Sequence, residues 1–223
     1  MRSGQTMSQP FCSSETAMDD EPETLLVQIT WENQNPAEVL TLVGEFLERH
    51  NNYPEALRFY GAALAVMPEY SFAAWRAGQL ALREARYDVA RDMLKSGAQF
   101  APDHAPTHYL LSLAYAGLGE HQLAISSANE ALRLDPNNIG AIRQTLRSLA
   151  SLENWEGIQH TYESRTEILH RDGESDLWYA LAESHLGNQT KARYLYERLP
   201  AKALRKNALI AQSILNRLNG QSA

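Results

Sequence analysis

Residues 105–138 read APTHYLLSLAYAGLGEHQLAISSANEALRLDPNN, and the fold follows from how this stretch is punctuated. Two segments of helical pattern flank the turn Gly117-Leu118-Gly119, and Pro136 closes the second. Proline lacks the N–H that would continue the helical ladder, so a helix stops shortly before it. The same proline stands 34 residues earlier at Pro102, and 34 earlier again at Pro68. Small residues keep this ruler: Ala56, Ala90 and Ala124; Ala63, Ala98 (one residue off register) and Ala131; Gly44 and Gly78. Two helices pack closely only where small residues sit at their crossing, with large ones such as Tyr60, Leu111 and Tyr115 filling the space around it.

A period of 34 residues built from helix, turn and helix, with Leu111, Tyr115, Gly119, Ala124, Ala131 and Pro136 in place, resembles the tetratricopeptide repeat family. The resemblance covers most of the chain. It implies an all-α, right-handed α-solenoid of about five helix-turn-helix units: 37–70, 71–104, 105–138, 139–172 and 173–206. The fourth unit carries Leu146 and Ile158 where Gly and Ala are expected, and His170 in place of the proline, but keeps Trp155 and Tyr162. The fifth keeps Gly187, Ala192 and Tyr196, with Ala180 in the glycine site. Residues 207–223 read as a C-terminal capping helix and tail, since NALIAQSILNRL over 207–218 sets Leu209, Ile210, Ile214 and Arg217 at helical spacing. Helix starts are expected at Asn35-Pro36-Ala37-Glu38, at Ser71 as a cap and at Pro106.

Ahead of the repeats, residues 23–36 read as an N-terminal capping segment. Leu25, Val27, Ile29 and Trp31 alternate as in a strand, while Leu25, Leu26 and Ile29 also fit a helical turn. A segment lying in the chain's own groove is the alternative. Residues 1–22 read as a disordered acidic tail, with Met18 as an alternative start.

Composition sets the class. The chain has 223 residues, 20 basic and 27 acidic side chains and a formal net charge of −7. Residues 1–36 hold six of the acids against Arg2 alone, and the stretch from Asn188 onward is basic. One Cys excludes an internal disulfide framework and a Cys-based zinc site. The acidic balance argues against nucleic acid as the main partner. No stretch approaches the roughly 20 apolar residues of a membrane helix, and the N-terminus lacks the apolar core of a signal peptide. The expected setting is cytoplasmic, without a membrane.

The resemblance places groove side chains near positions 2, 5, 9, 12 and 13 of each unit. That selects Phe72, Trp75, Gln79 and Leu82 in the second unit, Tyr109 and Leu113 in the third, and Arg143 and Arg147 in the fourth; Leu177, Leu181 and His185 follow in the fifth. Phe72, Trp75, Leu82, Tyr109 and Leu113 together would form an apolar patch of the size that marks a binding site. Arg143 and Arg147, one turn apart, could hold an acidic or phosphorylated group. The Lys, Asn and Arg clamp by which related repeats bind acidic chaperone tails has no counterpart, because Thr41, Glu45, Trp75 and Gln79 occupy its positions.

No phosphate loop, H-E-x-x-H or G-x-S-x-G is present, and His104 and His108 lack further ligands for a metal. The expected function is therefore a non-enzymatic protein–protein interaction module, adaptor or chaperone-like, without cofactor or metal, binding a protein or peptide in its concave groove. Small chains of this kind also resemble the chaperones of type III secretion translocators, which have about three repeats. The alternative is an assembly or regulatory subunit of a larger bacterial complex, acting through its convex face and charged ends, with a homodimer as one form of it.

Overall fold

The computed structural model describes residues 35–169 and 172–220. The expected tail, the segment 23–34, Met18 and His170 lie outside these residues. Among the described residues every regular element is a helix. Five pairs follow one another: α1 (Pro36–Arg49) with α2 (Tyr53–Val66), α3 (Ser71–Arg83) with α4 (Tyr87–Phe100), α5 (Ala105–Gly117) with α6 (His121–Leu134), α7 (Ile139–Ser151) with α8 (Trp155–Glu163), and α10 (Gly173–His185) with α11 (Gln189–Glu197). A single turn, α9 (Thr166–Leu169), follows the fourth pair, and α12 (Ala201–Lys206) and α13 (Ala208–Leu218) follow the fifth. Within each pair the helices pack on each other, and each pair packs on the next. The chain is thus an α-solenoid, in which each unit covers its neighbour's apolar face.

The prolines act as expected. Val66, Phe100 and Leu134 end their helices two residues before Pro68, Pro102 and Pro136. The residue between leaves the helical region in each case, with φ of −138° at Met67, −132° at Ala101 and −133° at Asp135, because a following proline disfavours that region. At the helix starts, the Asn35 side chain accepts from Ala37 N at 3.0 Å, and Pro36 occupies the first turn. Ser71 does not cap α3: Tyr70 holds the cap position, and no side chain bonds there.

The small residues lie at the crossings. Ala56, Ala63, Ala90, Ala124 and Ala131 are fully buried. The middle member of the second series is Gly97, not Ala98. Gly97 is buried in register with Ala63 and Ala131, and a Cβ there would stand 3.2 Å from that of Ala74. Leu146 and Ile158 fill the fourth crossing and are fully buried.

The three-residue turns repeat a conformation that Gly119, Gly187 and Asn51 announce and that Ala85 and Glu153 do not. Asn51, Ala85, Gly119, Glu153 and Gly187, spaced by 34 residues, all have positive φ. For a residue with a Cβ this region costs about 1–2 kcal/mol. Ala85→Gly is therefore expected to stabilise the protein by about 0.5–1 kcal/mol, after the larger unfolded-state freedom of glycine is subtracted. The readout is a higher urea midpoint at unchanged slope; a lower midpoint would mean that the turn stores no strain.

At the C-terminal end, α10 is covered by α12 and α13. Leu177, Leu181, Leu199, Ala211 and Ile214 form one buried cluster. Leu177 and Leu181, expected on the groove, are therefore core. His185 stacks on Trp155 with ring centroids 3.8 Å apart.

Candidate functional site

The first helices α3, α5, α7 and α10 lie side by side, so residues near corresponding positions share one face. Two cavities open along it. One, of about 380 Å³, is lined by Leu82 of α3, Leu113, Ala116 and Gly117 of α5, and Gln144, Arg147, Ser148 and Ser151 of α7, with Tyr87 and His121 at its edge. The other, of about 480 Å³, is lined by Ser71, Phe72 and Trp75 of α3 and by Ala101, Asp103 and His104 of the loop before α5.

The expected continuous patch is therefore divided. Phe72 and Trp75 belong to the first turns of α3 and Leu82 to its last. At 1.5 Å per residue, Phe72 and Leu82 are about 15 Å apart along the axis. Tyr109, expected to link the two, packs beneath α7 instead. A Cβ on Gly140 would stand 2.8 Å from the Tyr109 ring, so the missing side chain is what admits the ring. Gln79 is exposed, and its side-chain oxygen accepts from Arg76 at 3.4 Å.

In the aromatic cavity, Phe72 is 43% exposed. Its ring centroid lies 5.7 Å from that of Trp75 and 6.3 Å from that of Tyr70. His104 meets Trp75 edge-on at 5.9 Å, with its Nδ1 2.7 Å from Thr107 Oγ1. The Trp75 indole N–H is buried and finds no acceptor among the described residues. Behind it Arg76 ion-pairs with Glu45 at 3.3 Å and Glu48 at 3.1 Å, and the Tyr60 hydroxyl donates to Glu48 at 3.0 Å. Burial first, and the Glu48 charge with it, push the Tyr60 hydroxyl well above its ordinary value against the pull of Arg76. The sequence reading missed this network, whose members come from three helices.

Arg143 and Arg147 are occupied by the chain's own carboxylates. Arg143 Nε donates to Asp172 at 3.0 Å, and Arg147 pairs with Glu174, which also accepts from Lys206 at 3.0 Å. Asp172 further accepts from the Ser175 amide, capping α10. Burial opposes ionisation of both carboxylates, yet each is held below the usual carboxylate range: Asp172 by Arg143 and Ser175, Glu174 by Lys206 and Arg147. Arg147 still lines the first cavity, whereas Arg143 serves the joint between units.

His104 and His108 do not converge, since His108 Nε2 lies 2.8 Å from the Pro102 carbonyl. Among the described residues no group of three or more His, Cys, Asp or Glu is placed to hold a metal, and no helix is long and apolar enough to cross a membrane.

Stacked helix pairs with a shared first-helix face define a helical-repeat solenoid. Residues 105–138 match the model of the tetratricopeptide repeat, and the described residues share the fold of solved tetratricopeptide repeat structures. It is similar to the crystal structure of MamA (TM-score 0.70, 19% identity, covering 81% of this chain and 96% of that one). It is also similar to YrrB, described as a tetratricopeptide repeat protein with an unusual peptide-binding site (TM-score 0.69, 20% identity, covering 84% and 95%). Among curated proteins, anaphase-promoting complex subunit 3 of Dictyostelium discoideum is 26% identical over 118 residues, which is 52% of this chain and 12% of that protein. The fold is one suited to protein–protein interaction or scaffolding.

Proposed function

We propose that this chain is a non-enzymatic adaptor or chaperone-like module that holds an extended or helical protein segment along its first-helix face. The cavity shared by α3, α5 and α7 supports this reading, because three successive units contribute to one surface. Leu82, Leu113 and Ala116 offer apolar contact, and the exposed Ser151 and the outer side of Arg147 make the α7 side polar, while Gln144 and Ser148 are buried and hydrogen-bond each other at 3.0 Å. A segment laid there would touch all three units at once.

A second reading, assembly within a larger complex or with another copy, draws on the basic end of the chain, where Arg198, Lys202 and Arg205 are exposed. Comparison of two variants separates the readings. Leu113→Arg places a charge in the groove and is expected to cut recovery of the bound partner at least tenfold, about 1.4 kcal/mol, with the helical signal unchanged. Lys202→Glu combined with Arg205→Glu should leave recovery intact. The opposite pattern would move the contact to the charged end and remove the groove from the mechanism.

A further inference from the structure

We propose that the aromatic cavity at the start of α3 receives a cationic side chain, lysine or arginine, from the partner segment. The inference rests on the groove reading and assigns the chemistry of one of its two cavities. Phe72, Trp75 and Asp103 line one opening, so two aromatic rings and a carboxylate meet there. No ion-pair partner of Asp103 is present among the described residues. Rings of this type attract a cation through their quadrupole, most strongly where water is partly excluded.

The charges around the cavity have the right sign. Glu38 and Glu45 lie close enough to Tyr70 to push its hydroxyl up, in addition to the effect of burial. Beside the cavity Arg76 is held by Glu45 and Glu48, and His104 lines the opening itself. The Arg76 guanidinium carbon stands 5.9 Å from the Trp75 ring centroid, so the indole already accommodates one cation. The N-terminus of α3 opposes the proposal with about half a positive charge, less than the carboxylates contribute.

Libraries of peptides about twelve residues long, degenerate except for a fixed central Lys, Arg, norleucine or Glu, test the proposal on the full chain. The Lys and Arg libraries should be retained roughly tenfold better than norleucine, an advantage that salt weakens. Phe72→Ala and Asp103→Asn should each abolish that preference; both sites are exposed, and the helical signal checks the fold. Equal retention of norleucine, preference for Glu, or no retention of any library would overturn the proposal. Leu113→Arg separates it from the groove reading. Loss of the partner in that variant without a cation preference leaves the groove and removes the cation site, and the reverse pattern removes the groove and leaves the cation site.

Discussion

Gly78→Val is expected to cost at least about 3 kcal/mol of stability, and the loss should begin in α3 and α4. A Cβ at Gly78 would stand 2.3 Å from Leu94 Cγ and 2.5 Å from its Cδ2. Leu94 is fully buried, so its isobutyl group cannot swing into solvent, and the two helices must separate. Separation uncovers the cluster of Ala81, Ala90, Leu94, Leu111 and Ala114 that joins the second unit to the third. The same geometry recurs one unit earlier, where a Cβ on Gly44 would stand 2.7 Å from the Tyr60 ring. Gly78→Ala is the milder probe, because its overpacking is offset by about 1 kcal/mol of helix propensity. Pairing it with Leu94→Ala makes the argument quantitative. Leu94→Ala alone should cost about 2–5 kcal/mol, and the double variant should be less destabilised than the two singles added, by about 1–3 kcal/mol. Additive costs in urea unfolding would show that Gly78 and Leu94 do not share the crossing. Because each unit contacts only its neighbours, hydrogen exchange should quicken in α3 and α4 before α10 and α11.

This crossing was legible in the sequence because it is periodic. Pro68, Pro102 and Pro136 fix where second helices end, and Ala56, Ala90 and Ala124 fix where pairs touch. Each is a local property repeated on one ruler. Features without a compositional mark were not legible. Ala85 and Glu153 adopt the turn conformation of Gly119 and Gly187, but nothing in an Ala or a Glu announces a positive φ. Gly97 and Ala98 are both small, so sequence alone does not choose between them at the crossing, and only packing against Ala74 separates them.

The candidate site was legible by helix and not by side chain. Phe72, Trp75, Leu82 and Leu113 line cavities on the first-helix face. Whether they form one patch depends on distance along α3 and on Gly140, whose missing side chain draws Tyr109 into the joint. The carboxylates that engage Arg143 and Arg147 lie 29 and 27 residues further along the chain. A charge pattern within one helix cannot reveal such partners.

Removal of the Glu183 carboxylate is the second large expected effect, and pH gives it a distinct signature. Glu183 is fully buried and ties three helices together. Its carboxylate pairs with Lys191 of α11 at 2.8 Å, and accepts from Gln159 of α8 at 3.1 Å and from Asn188 at 2.7 Å. Glu183→Leu leaves those amides without their acceptor, and should cost about 3 kcal/mol. That is the lower end for a broken buried pair, because Lys191 is 44% exposed and can turn to water. Burial opposes ionisation of Glu183, but Lys191, Asn188 and Tyr179 outweigh it and hold the carboxylate below its ordinary value. Between that lowered value and the unfolded value of about 4.3, the unfolded chain binds more protons. Stability therefore rises with pH there: the contribution is complete above the unfolded value and is lost as pH falls through the folded one. Glu183→Gln keeps the shape without the titration. Its unfolding free energy should fall less steeply than that of the wild type between about pH 5 and pH 3, while the other carboxylates held low, Asp172 and Glu174 among them, preserve part of the slope. Identical slopes would mean that Glu183 ionises no more readily in the folded protein than in the unfolded one, and that its pairing with Lys191 does not outweigh the cost of burying the charge.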